Sequence, residues 1–193
     1  MRKPDLHLAS SSARRREILT NLGVSFSYAG VDIDESRSSG EPVADMVLRL
    51  ALEKAQAANV DALPVLGADT IVTLDDQVFG KPASQDDALT MLQALSGSRH
   101  QVLTGVACIS GDTVATAVST TEVRFRDIDP DEALAYWQSG EPQGKAGSYA
   151  IQGRGGIFVE SLSGSYSGVV GLPVYETAAL LQGVGIAVLE ARN

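Results

Sequence analysis

The chain has 193 residues, with 24 acidic and 15 basic side chains and a formal net charge of −9, which argues against the clustered positive face that nucleic acid requires. At 44% hydrophobic and 20% charged residues it suits one globular domain, 1–193, and no apolar run approaches the roughly 18 residues of a membrane span. Met1 to His7 is charged and lacks the apolar core of a secretion signal, and the single cysteine, Cys108, lies in an apolar run with no internal partner; both features point to the cytoplasm.

In chain order, Leu6 to Ala9 predicts a short buried strand, and Arg14 to Leu22 a helix ended by Gly23. Val43, Met46, Val47, Leu50, Ala51, Lys54 and Ala55 recur at helical spacing, with Pro42 placed for a first turn. Val65 to Ala68 and Ile71 to Leu74 predict strand, with Asp69 and Thr70 between the two runs. Ser84, Asp86 and Asp87 open a helix whose apolar face is Leu89, Leu92 and Leu95, and Gly97 stops it. Val102 to Ile109 and Val114 to Phe125 are β-rich and flank Gly111-Asp112, a hairpin signal. A helix from about Asp131 to Gln138 follows. The stretch 140–171 is rich in glycine and serine, with apolar residues only at Ile157 to Val159 and Val169 to Val170, and Pro173 opens a closing helix through Leu181. A hairpin beside helix-linked strands makes the fold class α/β with a mixed sheet.

Four segments offer chemistry. Ser10-Ser11-Ser12-Ala13-Arg14-Arg15-Arg16 lies between the first strand and first helix. The free N–H groups of a helix start, serine hydroxyls and planar guanidinium groups all suit a phosphate. Ser12 as a plain cap with solvated arginines is the ordinary alternative, and no P-loop pattern is present. Gly67-Ala68-Asp69-Thr70 puts a carboxylate at the end of an apolar run, where open α/β sheets place ligand chemistry; a turn-forming aspartate is its alternative. Asp32, Asp34 and Glu35 in a loop, Lys54 on a helix and Lys81 in Gly80-Lys81-Pro82 are the acids and cations that could complete a magnesium–phosphate site. Lys145 through Gly153, followed by Arg154-Gly155-Gly156, has glycines suited to close backbone approach and, in Gln152, both a donor and an acceptor. His7 and His100 lack spaced partners and read as structural, and Tyr136 and Trp137 as core.

Six pieces taken together closely resemble the Maf family of nucleotide pyrophosphatases. They are Leu8 to Arg15, Arg49 to Ala55, Gly67 to Thr70, Gly80 to Pro82, Lys145 to Gly153 and Val170 to Pro173, in the family's order and across most of the chain. The resemblance implies an elongated mixed sheet flanked by helices, two lobes around a substrate cleft, and a homodimer. It implies hydrolysis of a pyrimidine nucleoside triphosphate at the α-phosphorus with a divalent cation, Mg2+ or Mn2+. By position, Asp69 matches the family's catalytic acid and Glu35 an acid of the metal site. Lys54 and Lys81 match phosphate-binding lysines, and Ser10 a loop contact. Arg14, Thr70 and Gln152 match the positions that separate the branch acting on dTTP and UTP from the branch acting on 7-methyl-GTP, where Trp, Gln and Glu are found. Ala13 departs from the family's usual proline, which frees φ there but removes no functional group.

Aspartate alone is a weak base at neutral pH, so the expected role of Asp69 is to hold a metal-activated water and accept its proton. Two other classes use some of the same groups. A non-catalytic nucleotide-binding regulator of cell division would not need Asp69, and a phosphatase or nucleotide transferase would cleave or transfer elsewhere.

Overall fold

The computed structural model describes residues 3–60 and 62–189; Met1 and Arg2 of the charged leading segment lie outside them. Strand β1 (Leu6–Leu8) runs through the serine loop into helix α1 (Ala13–Asn21), whose first turn Ser12 caps by accepting the Arg15 N–H at 3.5 Å. After the short strand β2 (Phe26–Tyr28), a long loop leads to α2 (Val43–Ala57), which buries the seven residues its spacing picks out, Lys54 included.

Strand β3 (Val65–Leu74) is one continuous ten-residue strand, which corrects the expected break at Asp69-Thr70. Both residues keep their places in the ladder, Asp69 opposite Gly105 and Thr70 opposite Thr104. Their side chains find partners, so the polar pair does not interrupt the strand. Strand β4 (Gln77–Phe79) folds back on β3 through Asp75-Asp76, both at positive φ. Helix α3 (Gln85–Leu95) is capped by Ser84, and β5 (Arg99–Ser110) and β6 (Thr113–Phe125) form the expected hairpin across Gly111-Asp112. Helix α4 (Pro130–Gln138) starts with a reciprocal Asp129–Glu132 capping box.

The glycine- and serine-rich stretch is more ordered than its composition predicts. It holds 3-10 turns at Ala146–Ser148 and Arg154–Phe158, strand β7 (Val159–Ser163) and helix α5 (Tyr166–Val170) before α6 (Val174–Gly183). Glycine there serves close packing and positive φ, as at Gly147 (φ 67°) against Val72.

The sheet order is β2-β1-β3-β5-β6-β7, with β4 on β3. β1 is parallel to β2 and β3, and the other pairings are antiparallel, so the sheet is mixed, as expected. β3 contributes to four apolar clusters, two of which lie toward its opposite ends. Leu66 and Ala68 join Leu6, Leu8, Leu19 and Leu181, while Val72 joins Phe79, Leu95, Phe125 and Phe158. Asp69, Thr70 and Ile71 lie on β3 between those two ends. None of the described helices is long and apolar enough to cross a membrane.

Two glycines set how closely α2 approaches the sheet. A Cβ on Gly67 would collide with the Ala51 carbonyl oxygen and lie 2.7 Å from Ala55 N, and one on Gly105 would lie 2.8 Å from the Val47 carbonyl carbon. Their missing side chains let the helix backbone rest on β3 and β5. This contact places Lys54 over Asp69.

Candidate active site

Lys54 Nζ stands 2.6 Å from Asp69 Oδ1 and 2.6 Å from Glu35 Oε1. The two carboxylate oxygens are therefore at most twice that distance apart. Lys54 and Asp69 are each only 8% exposed, so this charge pairing sits in a setting that bulk water screens poorly. Lys81, largely in solvent, approaches the second Glu35 oxygen at 3.4 Å. Burial pushes the Glu35 carboxyl up, but the hydrogen bonds and charges of Lys54 and Lys81 outweigh it and hold the group below its ordinary value. Of the three loop acids, only Glu35 reaches the cleft; Asp34 instead accepts the Ser36 N–H at 2.9 Å, and Asp32 is exposed.

The loop bearing Glu35 is strapped to α2 by Arg49. Its guanidinium makes a two-pronged contact with Glu41, at 2.7 and 2.9 Å, and also donates to the Ser36 carbonyl at 3.0 Å. Through its hydrogen bond Arg49 holds the Glu41 carboxyl at about 2.

Arg15 lines the same cleft. It donates to the Gly171 carbonyl at 2.8 Å, to Ser10 Oγ at 3.2 Å and to Thr70 Oγ1 at 3.2 Å. Thr104 Oγ1 lies 3.0 Å from Thr70 Oγ1 and 2.7 Å from the Gly168 carbonyl oxygen. Among the described residues no carboxylate pairs with Arg15. Burial lowers its pKa, and the charges of Asp69 and Glu35 act in the opposite sense. Its charge is thus held toward the cleft by neutral acceptors, an arrangement that suits an incoming anion.

These groups line one cleft of about 530 Å³, with Ser10 to Ser12, Gly30, Glu35, Lys54, Asp69, Thr70 and Gly80-Lys81 on its walls. Six of the eight sequence-predicted residues therefore meet there: Ser10, Glu35, Lys54, Asp69, Thr70 and Lys81. Arg14 and Gln152 do not line it. Arg14 donates to the Val170 carbonyl at 3.3 Å and lies close enough to Lys145 for its charge to help lower that lysine's pKa, after burial. Gln152 is exposed on a turn six residues beyond Ala146, which does line the cleft.

Arg15, one of three consecutive arginines, is the cleft residue that the sequence motif alone does not single out. A usable signal was there: Arg15 precedes Leu19 by four, and Leu19 is the one buried residue of α1, so the two share its inward face. Thr104, in a β-rich run, carried no local signal.

Among the described residues no group of three or more His, Cys, Asp or Glu forms a protein-only metal cage. Asp69 and Glu35 fit a different arrangement, in which magnesium takes one or two carboxylates and completes its shell with water and substrate phosphate.

An open α/β sheet whose central strand sets an acid beside a buried lysine and a neutrally held arginine defines an α/β protein with a cleft lined by both acids and cations. The chain belongs to the Maf-like protein family, whose sequence profile matches residues 5–184. The dTTP/UTP pyrophosphatase of Alkalilimnicola ehrlichii is 49% identical over 187 residues, 93% of this chain and 92% of its own length. Proteins of the same name from Pseudoalteromonas translucida and Vibrio parahaemolyticus are 52% and 51% identical, each over 92% of this chain and 95% of their own.

Proposed function

We propose that this protein is a nucleoside triphosphate pyrophosphatase that hydrolyses dTTP and UTP to the monophosphate and pyrophosphate. The observation that carries the reading is Lys54 bridging Asp69 and Glu35 at 2.6 Å each, inside a cleft that Arg15 also lines. The named relatives supply the substrate class.

A triphosphate repels an incoming water oxygen until its charge is neutralised. Arg15, Lys54, Lys81 and the serine-loop donors are the groups that do so. Asp69 and Glu35 would hold a divalent cation, Mg2+ or Mn2+, which when bound lowers the pKa of a coordinated water and offsets phosphate charge. The attacking water oxygen bonds to the α-phosphorus as its proton passes to Asp69. The bridging oxygen–phosphorus bond breaks, and pyrophosphate leaves held by Lys81 and Arg15. Arg14 and Gln152, which match the family's specificity positions but do not line the cleft themselves, would take the base. Uracil and thymine present an N3–H donor flanked by carbonyls, which one fixed carboxamide matches; their methyl difference is worth only about 1–3 kcal/mol, so both are accepted.

The reading takes the chain as one domain acting as a homodimer in the cytoplasm, on small nucleotides and not on nucleic acid or membranes. The net charge of −9 supports the exclusion of nucleic acid, and the buried lone Cys108 a reducing compartment. Hydrolysis of dTTP with Mg2+ in oxygen-18 water tests the assignment. Labelled monophosphate and unlabelled pyrophosphate are expected; labelled orthophosphate, or no release, overturns it.

A further inference from the structure

Reading a base with a glutamine raises a physical difficulty. A carboxamide rotates freely, and its two ends present opposite hydrogen-bonding character, so it discriminates only when contacts in the complex stop that rotation and the backbone that carries it is held within reach of the base. Gln152 is exposed and lies on a glycine-rich turn, and the residues around that turn show what holds it.

Glu141 follows α4, eleven residues before Gln152, and its carboxylate reaches back to the turn. Oε2 accepts the Arg154 N–H at 3.0 Å, and Oε1 accepts the Gly155 N–H at 3.0 Å and the Tyr136 hydroxyl at 2.8 Å. The same Tyr136 oxygen accepts the Ala150 N–H at 3.0 Å. The backbone is thus pinned on both sides of Ile151-Gln152-Gly153 by one tyrosine–glutamate pair. The turn closes on itself through Gly153 N–H to the Ala150 carbonyl at 3.1 Å.

The glycines make this clasp possible. A Cβ on Gly153 would lie 2.6 Å from Glu141 Cδ, and one on Gly155 2.5 Å from the Tyr136 oxygen. Burial pushes the Glu141 carboxyl up, but the Gly155 and Arg154 N–H groups and the Tyr136 hydroxyl hold it below its ordinary value, so it remains an acceptor at neutral pH. Burial, with the Glu141 hydrogen bond, raises the Tyr136 pKa, which keeps its proton in place as the donor.

We propose that Glu141, acting with Tyr136, is a positioning residue for base selection: it fixes the turn that aims Gln152. The proposal rests on Gln152 reading the base. Neither Glu141 nor Tyr136 lines the catalytic cleft, and both bond to the turn that carries Gln152, so their contribution falls on which base is accepted rather than on bond cleavage.

Glu141→Gln tests it. A carboxamide at that place turns a donor toward at least one of the N–H or O–H donors now satisfied, loosening the turn with almost no change in shape. Relative to the unmodified protein, kcat/KM for UTP over CTP should fall by about tenfold, mainly through KM for UTP, with kcat kept within about twofold. Amide hydrogen exchange at Arg154 and Gly155 should quicken. Tyr136→Phe, which removes only a hydroxyl, should shift the ratio in the same direction by less, and it carries the test if Glu141→Gln does not fold. Because Glu141 acts through Gln152, adding Glu141→Gln to Gln152→Ala should leave the ratio where Gln152→Ala alone puts it. If both clasp variants lower kcat/KM for UTP and CTP alike while Gln152→Ala narrows the ratio, the positioning role is refuted and base reading by Gln152 stands. If Gln152→Ala keeps the unmodified protein's ratio, base reading itself fails, and the role of Glu141 fails with it.

Discussion

Replacing Gly67 by alanine adds a single methyl group at the contact that seats α2 on the sheet. That methyl would overlap the Ala51 carbonyl oxygen and stand 2.7 Å from Ala55 N, whereas ordinary contact begins at 3.4 Å. Both obstacles are helix backbone, so no rotamer change relieves them, and the helix must retreat by about 1 Å. The retreat carries Lys54 with it. Its 2.6 Å approach to Asp69 then stretches past the roughly 3.2 Å limit of a good hydrogen bond. Overpacking of this kind costs about 1–3 kcal/mol, or on the order of 5 °C in Tm for a domain of this size. A displacement of about 1 Å in a catalytic site can cost on the order of 100-fold in rate, so turnover should fall by about tenfold to 100-fold. Thermal unfolding by circular dichroism, with pyrophosphate release measured well below both melting points, reads the two effects separately. Gly183→Ala is the control: it lies in α6 with nothing within 4 Å of its added carbon, and should be neutral or slightly stabilising. A Gly67→Ala protein with unchanged Tm would refute the packing argument. One with lowered Tm but unchanged turnover would show that helix position does not govern the Lys54–Asp69 geometry.

Asp69→Asn should leave a folded protein, since Lys54 retains Glu35, and should reduce dTTP turnover by about 100-fold or more; normal turnover in the soluble variant would remove Asp69 from the chemistry. Chelation with EDTA should stop turnover, with Mg2+ or Mn2+ restoring it. The Tm of the nucleotide-free protein should move by less than about 2 °C, because Lys54 and Lys81 already pair with the two carboxylates; a large drop in Tm on chelation would point to a structural ion instead. His100, buried among Phe125 and Tyr149, is held at about 4 against an ordinary 6.5 by desolvation. As pH falls below 6.5 the unfolded chain takes up a proton that the folded chain refuses. Stability present above that pH should therefore be lost progressively toward pH 4, and His100→Gln should flatten Tm against pH across that window; an unchanged slope would count against it.

Much of this fold is legible in the sequence because its helices and long strands bury regular stripes. The spacing of Val43 through Ala55 names every buried residue of α2, Lys54 among them. What the pattern does not reveal is why a lysine belongs on an inward stripe, since its partner, Asp69, arrives from a strand fifteen residues away. The same missing partner explains the false break in β3: an aspartate and a threonine look like a turn until Lys54, Arg15 and Thr104 satisfy them. Strands β2 and β4 have three residues each, too few for a period to show, and exist through their pairing with β1 and β3. Between Arg14 and Arg15 composition gives no choice, and only the helical phase set by Leu19 assigns the cleft-facing one.

The hydroxyl contacts beneath Arg15 have a direction. A guanidinium only donates and a carbonyl oxygen only accepts, so the ends of the series from Arg15 through Thr70 and Thr104 to Gly168 fix the orientation of every proton between them. The single proton of Thr104 goes to the closer Gly168 oxygen, and the Thr70 proton goes to Thr104. Thr70 therefore meets the cleft with a lone pair and no proton to give. It behaves as a one-way contact, able to receive a hydrogen from a ligand's N–H or O–H and closed to a bare carbonyl. Serine at position 70 would preserve this polarity, whereas valine, of nearly the same shape, would erase it.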